Sequence, residues 1–142
     1  MIKRFIVFGP VVAKQRPKFS RAGGFVRSYT PDKTVNYENL VKMSYYQEHG
    51  NFMFDKDIPL KVIINIEKSI PKSFSNRKRE LAINGFIRPL TRPDCDNVAK
   101  SITDALNGIA YHDDAQITDL EVYKRFGHQD LAEVSIQALN QN

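Results

Sequence analysis

The stretch RPDCDNVAKSITDALNGIAYHDDAQI, Arg92 to Ile117, gathers Asp94, Asp96, Asp104, Asp113 and Asp114 in a chain of net charge +5. Carboxylates a few ångströms apart repel one another unless a cation sits between them. Hard oxygen donors that leave coordination positions open favour Mg²⁺ or Mn²⁺. An ion held in that way binds a phosphodiester oxygen, lowers the pKa of a bound water and stabilises the charge that builds on phosphorus. Lys100 is the one cation among residues 93–121, one helical turn after Asp96. Its ammonium suits a developing oxyanion or a phosphate. Each residue also has a plainer use. Asp96 can cap a helix with Asp94 flanking it. Asp113 and Asp114 can make a turn before a strand, and Asp104 can be a solvated helix position or a partner for Lys100. His112 can be a base or a ligand, or an ordinary loop histidine. Cys95 has no base arranged around it in sequence.

The surroundings are basic. Residues 1–46 hold nine Lys/Arg against two acids, and residues 68–92 hold seven against one; residues 93–121 hold seven acids against Lys100. Two positive blocks around a negative one fit a cradle holding a polyanion over an acidic centre. They also fit a solvated surface, because net charge says nothing about fold. Lys14, Arg16, Lys18, Arg21 and Arg27 are the first candidates for phosphate contacts, and Arg77, Lys78 and Arg79 the second. With 142 residues, 42% of them apolar and 26% charged, the chain suits one soluble domain spanning 1–142. A single cysteine, Cys95, allows no disulfide within the chain and suits a reducing compartment such as the cytoplasm. No apolar run approaches a membrane span, and no membrane partner is expected. MIKRFIVFGP leads towards KQRPK rather than a small-residue cleavage site, so it reads as a first strand.

Elements must position these residues. Ile2–Phe8 is a β-rich run broken by Gly9-Pro10. Lys18-Phe19 and Phe25-Val26 flank Gly23-Gly24 as a loop or short hairpin. Thr30-Pro31 fits an N-cap and first helical position, opening a helix to about His49 that Gly50 closes. Leu60, Val62, Ile64 and Ile66 alternate in a strand ended by Pro71. Ser73 or Ser75 caps a short basic helix from Asn76 to about Asn84, before Gly85. Asp96 caps a third helix to about Asn107, with Val98, Ile102, Ala105, Leu106 and Ile109 on its apolar stripe and Asn97, Lys100, Asp104 and Asn107 opposite. Ile117–Phe126 and Ala132–Ala138 alternate as two strands, expected to pair as a hairpin around Gly127-His128. Phe52, Met53 and Phe54 form an apolar cluster for core or interface. The fold class is α+β: one compact domain with a mixed, largely antiparallel sheet packed by helices.

The arrangement resembles the RusA family of Holliday-junction resolvases, small phage and bacterial endonucleases. The likeness rests on Arg92-Pro93-Asp94-Cys95-Asp96-Asn97 with Lys100, then Asp104-Ala105-Leu106-Asn107-Gly108, then Asp113-Asp114-Ala115-Gln116-Ile117, all in order and at family-like spacing. Gly9-Pro10, Lys14 to Lys18, Tyr29-Thr30-Pro31, Tyr37-Glu38 and Pro71 to Lys78 extend it towards a phage-type branch. The resemblance implies that Asp94, Asp96 and Asp114 bind Mg²⁺ and are catalytic, that Asp113 is a further ligand candidate, and that Lys100 assists cleavage. Asn97 and Gln116 fall at supporting positions. It implies a homodimer that makes two symmetric cuts in a four-way DNA junction, and a bacterial cytoplasmic setting of host or phage origin. Gln15 departs from the glycine that many relatives carry there, and Cys95 from a usual aliphatic. Two other readings fit the same residues: a non-catalytic basic DNA-binding module, and a metal nuclease acting on flaps or other branched DNA.

Overall fold

The alternation of Leu60, Val62, Ile64 and Ile66 puts four apolar side chains on one strand face. All four are buried in the computed structural model, which describes residues 1–29 and 31–139. Apolar burial of this kind is worth about 1.5–3 kcal/mol per side chain, so this strand anchors the core. The elements run β1 (Ile2–Phe8), β2 (Lys18–Ala22), β3 (Phe25–Tyr29), α1 (Asp32–His49), β4 (Leu60–Ser69), α2 (Asn76–Ile83), α3 (Cys95–Ala105), a 3-10 turn (Asp114–Gln116), β5 (Ile117–Gly127) and β6 (Leu131–Ala138). Four strands form a mixed sheet in the order β1-β6-β4-β5, and β2 and β3 form a separate ribbon. The fold is α+β, as the pattern of apolar residues predicts.

Register aligns the core face across the sheet. Phe5 pairs with Val134 and Val134 with Ile64; Val7 pairs with Ala132 and Ala132 with Ile66. Tyr37, Val41 and Tyr45 of α1 join this cluster, as do Val98, Ile102 and Ala105 of α3. Phe54 belongs to the core as well, and the Phe52 ring meets it edge-on at 5.0 Å.

The expected hairpin between β5 and β6 does not form. Strand β4 lies between them, parallel to β5 and antiparallel to β6. The short link after Gly127 crosses the end of β4 instead. Ser69 donates to Asp130 through its backbone N (3.0 Å) and its hydroxyl (3.1 Å), and His128 N donates to Glu67 Oε1 at 2.9 Å. Consecutive strands are usually neighbours. Here β4, apolar along its inner face, takes the central position with ladder partners on both edges. Its carboxylate at Glu67 then occupies the space where a Cβ at Gly127 would stand.

Helix boundaries also differ from expectation. Helix α1 starts at Asp32 with Pro31 in the N-cap position, one residue later than expected, and Thr30 lies outside the described residues. Ser75 caps α2, accepting from Lys78 N at 3.2 Å. The N-cap of α3 is Asp94, not Asp96, and its side chain makes no capping bond. Its carboxylate is therefore left for another use.

Gly127→Ala is expected to displace Glu67 and release the His128 N–H, lowering stability by about 1 kcal/mol in urea unfolding. An unchanged midpoint contradicts this account of the crossing.

Candidate active site

Helix α3 carries an acidic group at each end. Its inner stripe, Val98, Ile102 and Ala105, is buried against the core, so Lys100 and Asp104 face outward.

At the N-terminal end, Asp94 follows a loop gripped by two lysines from the sheet. Lys68 of β4 donates to Thr91 Oγ1 (3.1 Å) and Arg92 O (2.9 Å). Lys124 of β5 donates to Thr91 O (2.8 Å) and Pro93 O (3.1 Å). The backbone of Lys14 joins the first turn, its N donating to Asn97 O at 2.9 Å. Asp94 lines a cleft of about 320 Å³ with Arg92, Lys33, Gln15 and Asn97. Two cations, Arg92 and Lys33, share this cleft with the carboxylate. Asp96, exposed, lies in the first turn.

At the C-terminal end a set of side-chain staples holds the Asp113-Asp114 loop. Asn107 Oδ1 accepts from Asp114 N at 2.8 Å. Gln116 Oε1 accepts from His112 N (2.9 Å) and Asp113 N (3.2 Å), while its Nε2 donates to Asp55 O (2.8 Å) and Ile58 O (3.1 Å). Asp113 Oδ1 accepts from Ala115 N at 2.9 Å, completing a capping box with Gln116. The buried Tyr111 hydroxyl donates to Thr103 O at 2.6 Å.

These groups are electrostatically crowded. Partial burial pushes the Asp114 carboxyl above the ordinary aspartate value; Asp113 and Asp104 push it further, and the Asn107 side chain offsets part of that. Asp113 is held low, first by the Ala115 N–H and then by Asp114. Burial raises the Tyr111 phenol, and Asp114, Asp104 and Asp113 add to it, so Tyr111 remains a donor. Asp104 is partly neutralised, lying 3.5 Å from both Lys14 Nζ and Lys100 Nζ. Lys14 also pairs with Glu38 of α1. Burial alone would lower the Lys14 pKa; the Glu38 and Asp104 carboxylates outweigh it and hold the ammonium above its ordinary value. Lys14, a candidate phosphate contact, thus spends its charge tying α1 to the end of α3.

Asp104, Asp113 and Asp114 come together, and Asp94 and Asp96 do not join them. The helix between Asp94 and Asp104 covers about 15 Å at 1.5 Å per residue. Among the described residues, no group of three or more His, Cys, Asp or Glu side chains is placed to hold a metal ion.

The family described as "Endodeoxyribonuclease RusA" matches residues 9–137, nearly the whole chain. The chain belongs to the RusA family. It is an endodeoxyribonuclease, a hydrolase of DNA phosphodiester bonds. It is also similar to "Uncharacterized protein YqaN" of Bacillus subtilis (strain 168), 34% identical over 139 residues that cover 96% of each chain. RusA resolvases depend on a divalent metal ion. Carboxylate oxygens are the right donors for such an ion. One protomer nevertheless does not assemble Asp94, Asp96 and Asp114 around one position.

The remaining candidates lie elsewhere on the RusA chain. Arg16 is exposed in the loop before β2, and Lys18, Arg21 and Arg27 lie on the β2–β3 ribbon. Arg77, Lys78 and Arg79 lie on α2, where Lys78 Nζ sits 4.1 Å from the Phe74 ring centre and Arg79 donates to Pro71 O at 3.4 Å. Lys33, Glu38, Lys68 and Lys124 escape a reading of the sequence for site residues. Lys68 falls in register with Leu60, Val62, Ile64 and Ile66, and Lys124 with Leu120, Val122 and Phe126, so a lysine on the apolar face of each strand is a sequence signal, but only tertiary folding aims them at the Asp94 loop. Glu38 has a sequence signal, its place in Tyr37-Glu38.

Lys124→Met should leave two carbonyls of the Asp94 loop without their donor, costing about 1–3 kcal/mol in urea unfolding; an unchanged midpoint contradicts the clamp. A second prediction concerns Asp114. Its pKa is raised in the fold, so ionising it costs stability above the folded value, a cost that vanishes as pH falls below the unfolded value. Asp114→Asn should therefore melt higher than the parent protein at neutral pH and lose that advantage in acid. A lower melting temperature at neutral pH would contradict the crowding.

Proposed function

We propose that the protein is a Mg²⁺-dependent homodimeric resolvase that cuts four-way DNA junctions, each active site combining Asp94 and Asp96 of one protomer with Asp113 and Asp114 of the other. The observation that carries this reading is the separation of the two acidic groups by the length of α3. Family membership calls for a divalent ion, and carboxylates split in this way can share one only if a second chain brings the missing half. A two-fold axis suits that need, because opposite ends of two antiparallel copies of α3 then meet twice. Two sites related by that axis match the two symmetric cuts of a four-way junction.

The protein's own residues have clear tasks in this scheme. The lysine clamps and the Asn107 and Gln116 staples fix the carboxylates, so little reorganisation is needed when the substrate arrives. Lys100, on the outer face of α3 and 63% exposed, reaches a phosphate or the oxyanion that develops on it. Arg92 and Lys33 hold the phosphodiester beside Asp94, while Arg16, Lys18, Arg21, Arg27, Arg77, Lys78 and Arg79 supply the wider positive surface. Bound Mg²⁺ would supply Lewis acidity and an activated water; Mn²⁺ has the same coordination chemistry. No helix of the described residues is long and apolar enough to cross a membrane. We place the enzyme in the bacterial cytoplasm, encoded by host or phage.

Incubation with a labelled four-way junction, a flap and a linear duplex tests this function. The junction should be cut, only with the divalent ion, in preference to the other two. Asp94→Asn or Asp114→Asn should reduce cleavage by about 100-fold or more while junction binding survives. Preferential flap cutting would make it a different branched-DNA nuclease. Metal-independent binding without any cleavage would make it a binding module.

A further inference from the structure

The β2–β3 ribbon is the part of the fold with the least reason to exist for its own stability. Among the described residues it pairs with no other strand. A lone two-stranded ribbon is marginal in water. Its turn, Gly23-Gly24, has φ of +60° and +82°, the left-handed values a tight hairpin turn needs. Three of its large side chains stand in solvent: Phe19 is 72% exposed, Val26 60% and Tyr29 49%.

Register shows how these side chains are sorted. Lys18 stands opposite Tyr29 and Ser20 opposite Arg27, so Lys18, Tyr29 and Arg27 share one face. Phe19 stands opposite Ser28 and Arg21 opposite Val26, so Phe19, Arg21 and Val26 share the other. Each face thus carries an exposed ring beside a cation. No Asp or Glu occurs before Asp32. None of the ion pairs among the described residues uses Lys18, Arg21 or Arg27. A protein partner offering an apolar face would leave these cations uncompensated. The surface fits a partner that presents flat π-faces and negative charge together, which is the chemistry of nucleic acid with accessible bases. In intact duplex the base faces are covered by their neighbours. A branch point interrupts that stacking.

We propose that the β2–β3 ribbon enters the open centre of branched DNA, where Phe19 and Tyr29 stack on bases uncovered at the branch point and Lys18, Arg21 and Arg27 take the adjoining phosphates. The proposal rests on the branched-DNA reading above and adds the element that selects the branch. The cations hold any DNA; the rings supply the preference for a junction over duplex. A two-stranded ribbon is narrow enough for a DNA groove, and its glycine tip adds no bulk.

Binding without cleavage, in metal-free buffer, tests this by fluorescence anisotropy on a labelled four-way junction and a linear duplex of the same sequence. The parent protein should prefer the junction. Phe19→Ala, or Phe19→Ala with Tyr29→Ala, should weaken junction binding by about tenfold and leave duplex binding within about twofold, the two affinities converging. Phe19→Tyr keeps a ring and should keep the preference. Arg21→Gln should weaken both substrates alike and flatten the salt dependence. If the parent prefers the junction and the alanine variants keep the same preference, the ribbon's role is overturned and the branched-DNA reading stands. If the parent shows no preference, that reading fails, and this proposal with it.

Discussion

A helix is a rigid spacer. Helix α3 keeps its two acidic ends about 15 Å apart, and its buried stripe locks it against the sheet so that neither end can swing towards the other. The arrangement of carboxylates follows from this constraint. One end has two acids and open space; the other has three acids, too little positive charge to neutralise them, and a raised pKa at Asp114. In the proposed function each end is one half of a shared site.

The rest of the chain serves that arrangement. The central strand β4 and edge strand β5 supply the core and also the lysines that hold the loop before Asp94. The turn before β4 supplies the carbonyls that Gln116 uses to fix the loop carrying Asp113 and Asp114. Lys14 joins α1 to Asp104, so the first basic block is divided: one residue stabilises the acidic end, and Arg16, Lys18, Arg21 and Arg27 are exposed to solvent. Positive charge therefore acts within the site as scaffold and, in the proposed function, around it as attraction for the polyanion.

Much of this is legible in the sequence. Alternation in Leu60–Ile66 and the stripe Val98–Ile102–Ala105 yield β4 and α3 directly, because burial depends on period alone. The DDAQ and PD-x-DN segments mark both acidic groups. Strand order is harder to read: β5 and β6 alternate well enough for a hairpin, and nothing local reveals that β4 is inserted between them. The partners of the Lys68 and Lys124 clamps are hidden for the same reason, since the Thr91 hydroxyl and three backbone carbonyls that accept from them lie more than twenty residues away in the chain. Lys14 reads as a DNA contact by its neighbours, yet Glu38 and Asp104 claim its ammonium, a competition only the fold displays. The separation of Asp94 and Asp96 from Asp113 and Asp114 is legible too, because the length of the helix between them follows from its residue count.

Subunit mixing tests the shared site most directly. Asp94→Asn and Asp114→Asn proteins, each inactive alone, are combined under conditions that exchange protomers, and junction cleavage is measured. If each site draws on both chains, one of the two sites in every mixed dimer carries neither substitution, and cleavage of one strand returns. If the mixture stays as inactive as its components while mixed dimers are present, each site lies within a single protomer and the account is wrong.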